Sequence, residues 1–88
     1  MNQLELLADR AHKICVENFW GRDWEGGGCY LHLEVSEFIE SLRGKKGTPD
    51  EEAADVLFVL LSMLRAADID ISSVLSNLET SISSLEAK

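Results

Sequence analysis

The sequence predicts an all-α protein built as a four-helix bundle. Apolar residues recur in steps of three and four along nearly the whole chain, and no stretch alternates apolar and polar residues with the period of a strand. The periodic stretches are separated by helix start and stop signals, at Gly44, at Thr48-Pro49 and at the Asp68-Ile69-Asp70 turn. Residues 1–88 read as one domain, with no repeat, linker or low-complexity tract.

The first helix is expected from Asn2 to Phe19, with Leu4, Leu7, Ala8, Ala11, Ile14, Cys15 and Phe19 on one face. Asn2 is placed to cap it, and Glu5, three residues on, completes a capping box. The segment from Trp20 to Gly28 carries four glycines and reads as a loop, with Trp20 and Trp24 bracketing its first half. A second helix is expected from about Cys29 to Arg43, with Leu31, Val35, Phe38, Ile39 and Leu42 as its stripe and Gly44 at its end. Thr48, Pro49 and Glu51 give the next start, as cap, first helical residue and capping-box partner.

Between Ala53 and Ala67, twelve of fifteen residues are apolar, the others being Asp55, Ser62 and Arg65. A helix that is apolar all round must be covered all round, and three other short helices are too few to do it. One side is therefore expected to lie against another subunit, as a homodimer or a dimer of dimers. Ile71, Val74, Leu75, Leu78, Ile82 and Leu85 mark a fourth helix with a narrow, coiled-coil-like seam.

Sixteen acidic residues against eight basic ones give a net charge of −8, which excludes nucleic-acid polymers and anionic membrane surfaces as natural partners. No apolar run approaches the roughly 20 residues of a membrane span, and Met1-Asn2-Gln3-Leu4-Glu5 does not open a secretory signal. A cytoplasmic location is the expectation. Cys15 and Cys29 lack any metal or redox spacing and read as reduced thiols, and His12 and His32 read as structural or surface residues.

Four carboxylates stand out: Glu34 and Glu37 on the second helix, Glu52 and Asp55 on the third. Each pair is spaced i, i+3, so each projects from one helix face as a two-pronged claw. The spacing leaves two readings open, solvated acidic positions or a shared cation site. Asp55 falls between Phe58, Val59 and Ser62, where an unpaired carboxylate would be costly, and this points toward the second. A donor set of carboxylates alone suits Mg²⁺ or Mn²⁺, whereas a di-iron bundle would need a histidine that neither claw has.

Glu34-Val35-Ser36-Glu37, followed after 14 residues by Glu52-Ala53-Ala54-Asp55-Val56-Leu57, resembles the paired acidic signature of the MazG-like all-α nucleoside triphosphate pyrophosphohydrolases. The second block, with Leu60, Leu61, Leu64, Val74 and Leu75, is also similar to phosphoribosyl-ATP pyrophosphohydrolase of histidine biosynthesis. The resemblance implies Mg²⁺-dependent hydrolysis between the α- and β-phosphates, yielding a nucleoside monophosphate and pyrophosphate. It implies Glu34, Glu37, Glu52 and Asp55 as metal ligands and catalytic residues, with one glutamate as the base toward water.

The leading expectation is a house-cleaning hydrolase of nucleoside triphosphates. Phosphoribosyl-ATP ranks second as substrate, because Cys29-Tyr30-Leu31-His32-Leu33 stands where that enzyme's lysine-rich approach is expected. A non-enzymatic acidic helical dimer is the third reading. Family members carry basic residues after the fourth helix, whereas here Lys88 is the only one beyond Ala66; Lys45, Lys46 or Arg22 would have to hold phosphates instead. Trp20 and Trp24 are candidates to close over a base on the glycine loop, with Tyr30, Phe19 and Asn77 as weaker ones.

Overall fold

The computed structural model describes residues 2–20 and 23–88, apart from the Trp24 side chain. Its helices are α1 (Gln3–Asn18), α2 (Trp24–Leu42), α3 (Pro49–Ala66) and α4 (Ile71–Glu86), so the four-helix, strand-free reading holds among the described residues. The capping box at α1 forms as expected: the Glu5 amide donates to Asn2 Oδ1 at 2.8 Å.

Two expectations at helix starts are corrected. Helix α2 begins at Trp24, five residues earlier than the periodicity suggests, so Gly26, Gly27 and Gly28 are its first turns and not a loop. Three helical glycines cost roughly 1 kcal/mol each relative to alanine. The Asp23 cap offsets part of that, its Oδ1 accepting from the Gly26 amide at 2.6 Å, and Gly27 is buried by tertiary packing. At α3, Thr48 takes the cap position but its side chain makes no capping hydrogen bond, so the box with Glu51 is not formed. Its carbonyl accepts from the Glu52 amide, and Asp50, Glu51 and Glu52 place negative charge at the positive end of the helix.

Helix α3 is central, with α2 and α1 both lying along it. A small core of Ala8, Leu61 and Ile71, flanked by Leu4, Leu64 and Leu75, joins α1, α3 and the start of α4. Two polar contacts reinforce it: Arg65 Nε lies 2.7 Å from Asp9 Oδ1, and Ser72 Oγ donates to Glu5 Oε1 at 3.1 Å. Beyond Leu75, α4 is exposed to its end. No helix among the described residues is long and apolar enough to cross a membrane.

The radius of gyration is 14.4 Å, against about 12 Å for a compact domain of this length. The accessible surface is 6366 Å², against about 5200 Å² for a folded monomer of this mass. Both values describe an open arrangement with apolar surface uncovered, including Leu57 and Leu60 of α3.

Candidate metal centre

The two claws face each other because α2 and α3 pack antiparallel across the short turn at residues 43–48. One carboxylate oxygen from each of Glu34, Glu37 and Glu52 lies within 4.8 Å of the other two. Oxygens on opposite sides of one Mg²⁺, each at about 2.1 Å, sit about 4.2 Å apart, so the trio is close to the span of a single hard cation. Glu34 Oε2 and Glu52 Oε2 are shut off from solvent and have no hydrogen-bond partner. A buried carboxylate oxygen without a partner is unfavourable and calls for a positive group. The donor set therefore fits Mg²⁺ or Mn²⁺.

Electrostatics carries the same strain. Burial pushes the Glu34 carboxyl above its ordinary range, and repulsion from Glu37, Asp55 and Glu52 adds to it. Glu52 is raised in the same direction, first by burial and then by Glu37 and Asp55. Asp55 is thus near enough to be felt by both, although it stands outside the tight trio. The expectation that Asp55 is the desolvated member is corrected: its side chain is exposed, and the closed-off oxygens belong to Glu34 and Glu52. The reason is that the α3 face bearing Asp55 opens on a cavity where a packed neighbour was expected.

That cavity has a volume of about 360 Å³. Glu34 and Asp55 stand in its wall, Trp20, Tyr30 and Phe58 supply aromatic surface, and Cys15, Gly27, Val59 and Ser62 complete it. Phe19 takes a left-handed conformation (φ 59°) and the Trp20 amide donates to the Cys15 carbonyl at 2.9 Å, which turns the chain so that Trp20 reaches the cavity. Both cysteines are free, Cys15 buried and Cys29 exposed.

The glycine-loop closure expected of Trp20 and Trp24 finds no loop at Gly26–Gly28, which are helical, and Gly21 lies outside the described residues. The Trp24 side chain and Arg22 lie outside the described residues. Lys45 Nζ lies 3.9 Å from Glu40 Oε2, and Lys46 is exposed beside it; neither lines the cavity. Sequence reasoning passed over Gly47, where φ is +70° and the Glu52 side chain lies against the backbone.

An antiparallel helix pair that gathers carboxylates from both members into one partly buried cluster defines an all-α protein whose clustered oxygens are of the donor type that suits a hard divalent cation. The chain belongs to the phosphoribosyl-ATP pyrophosphohydrolase family, whose model matches residues 28–81 and so covers both claws. It is 47% identical over 45 residues to a protein of Roseobacter denitrificans named phosphoribosyl-ATP pyrophosphatase, covering 51% of this chain and 43% of that one. A protein of the same name from Methanoregula boonei is 51% identical over 49 residues, covering 52% of this chain and 45% of the relative. The matched stretch thus spans a little under half the length of these curated relatives. No solved structure matches the chain.

Proposed function

We propose that the chain hydrolyses phosphoribosyl-ATP between its α- and β-phosphates, releasing pyrophosphate and the corresponding monophosphate. The observation that carries this is the coincidence of the family match over residues 28–81 with the carboxylate trio of Glu34, Glu37 and Glu52. This reverses the ranking drawn from the sequence, with support from the relatives of Roseobacter denitrificans and Methanoregula boonei, both of which bear the name of the phosphoribosyl-ATP enzyme.

Glu34, Glu37 and Glu52, with Asp55 alongside, would hold Mg²⁺ or Mn²⁺. When bound, the cation supplies the positive charge that lets a polyphosphate approach an acidic site and makes water a stronger nucleophile. Water then cleaves the α–β anhydride, pyrophosphate leaves, and a carboxylate of the cluster takes the water's proton. The cavity beside Glu34 and Asp55 orients the other end of the substrate, with Trp20 and Tyr30 offering faces on which a base stacks. Lys45 and Lys46, in the turn that precedes α3, are the candidates to meet outlying phosphates.

The protein works in this reading as a homodimer. Its support is the excess of roughly 1200 Å² in accessible surface over a compact monomer, more than the about 800 Å² per partner of a standard interface. The seam of α4, with Leu78, Ile82 and Leu85 about half exposed or more, is the surface assigned to the second copy.

The experiment is pyrophosphate release with Mg²⁺ from phosphoribosyl-ATP and from a panel of nucleoside triphosphates, before and after chelation. Preferential release from phosphoribosyl-ATP is expected. The general triphosphate reading keeps one supporting observation, the Cys29-Tyr30-Leu31-His32-Leu33 approach without lysine, and release from the panel alone would establish it instead. No release from any substrate would leave the non-enzymatic dimer.

A further inference from the structure

We propose that Gly47 is a positioning residue for the cation site, acting by leaving room for Glu52. The inference rests on the metal reading above and deepens it. A Cβ added at Gly47 would sit 2.7 Å from Glu52 Oε1 and 3.3 Å from both Cγ and Cδ of the same side chain. Contacts of that kind along three atoms mean that Glu52 lies lengthwise across the Gly47 backbone. The same side chain that lies against Gly47 places one carboxylate oxygen within 4.8 Å of oxygens of Glu37 and Glu34. Glu52 is partly buried, with Oε2 closed off from solvent, and its carboxylate is the flexible end that has to shift. Any side chain at position 47 would push the Glu52 carboxylate out of the trio or into its like-charged neighbours.

Gly44 supplies a matched comparison within the same turn. Its φ is +73°, nearly that of Gly47 at +70°, but nothing lies within 4 Å of a Cβ built there. Substituting either glycine imposes a similar backbone demand, while only the change at Gly47 meets Glu52. Asparagine is the natural choice, because among residues with a Cβ it is one of those that most readily adopt the left-handed region.

The test is Mn²⁺ binding to the full chain, followed by electron paramagnetic resonance, with thermal unfolding measured in parallel. Gly47→Asn is expected to weaken Mn²⁺ binding at least tenfold and Gly44→Asn to leave it within twofold, with similar melting temperatures for the two. Equal Mn²⁺ affinities in the two variants would overturn the proposal while leaving the metal reading intact. Wild-type protein that takes up no Mn²⁺ overturns the metal reading and this proposal with it. If Gly47→Asn does not fold, the double variant Gly47→Asn/Glu52→Ala decides: recovery of the fold places the collision at Glu52, and continued unfolding refutes it. Where both single variants fold, Gly47→Asn should cost no further Mn²⁺ affinity in the Glu52→Ala background.

Discussion

Replacing Leu78 and Ile82 of α4 together by glutamine should dissociate the protein without unfolding it. Leu78 is 54% exposed and Ile82 48% in the single chain, and neither belongs to the Ala8–Leu61–Ile71 core. Burying such a side chain completely contributes about 1.5–3 kcal/mol, so covering the exposed half contributes about 1 kcal/mol per residue. A twofold interface counts each residue twice, so the pair contributes about 4 kcal/mol to association. That corresponds to a roughly thousandfold weaker dimer. Glutamine has nearly the helix propensity of leucine, so the helix itself is little affected. Sedimentation equilibrium over nanomolar to millimolar protein reads the shift, and circular dichroism verifies helix content. A wild-type chain that sediments as a folded monomer at micromolar concentration would refute the surface argument. A double variant that associates as tightly as wild type would refute the choice of α4.

Glu34→Gln, Glu37→Gln, Glu52→Gln and Asp55→Asn should each remove most Mg²⁺-dependent pyrophosphate release while keeping helix content, since each subtracts a ligand charge and little volume; wild-type rates in all four would discard the site. Metal-free protein should melt at higher temperature as pH falls from neutral through the raised values of Glu34 and Glu52 toward the ordinary 4.5, because a carboxyl whose pKa rises on folding binds its proton more tightly in the folded chain. Glu34→Gln should flatten that rise, and a melting temperature that instead climbs with pH would contradict the electrostatic picture. Trp20→Ala should raise KM about tenfold or more with little change in kcat, as expected for loss of one stacking surface at about 1–3 kcal/mol; a drop in melting temperature with KM unchanged would make Trp20 a structural lid.

Periodicity and capping chemistry are local, so the order of amino acids alone is enough for whatever depends on them. It determined the number and order of helices, the Asn2–Glu5 box, the glycine stop at Gly44, and the pairing of Glu34–Glu37 with Glu52–Asp55 on two helices joined by a short turn. What depends on neighbours distant in sequence was decided only by tertiary structure. Local propensity places a loop at Gly26–Gly28, yet the Asp23 cap and the packing around Gly27 make it helix, because burial outweighs the entropy that glycine loses. The helical wheel correctly set Asp55 among Phe58, Val59 and Ser62 but said nothing about what stood opposite. An open cavity stands there, so the desolvation fell on Glu34 and Glu52, which face each other across the α2–α3 contact. The role of Gly47 was likewise hidden, since a glycine before Thr-Pro reads as a turn residue until the fold lays Glu52 across it.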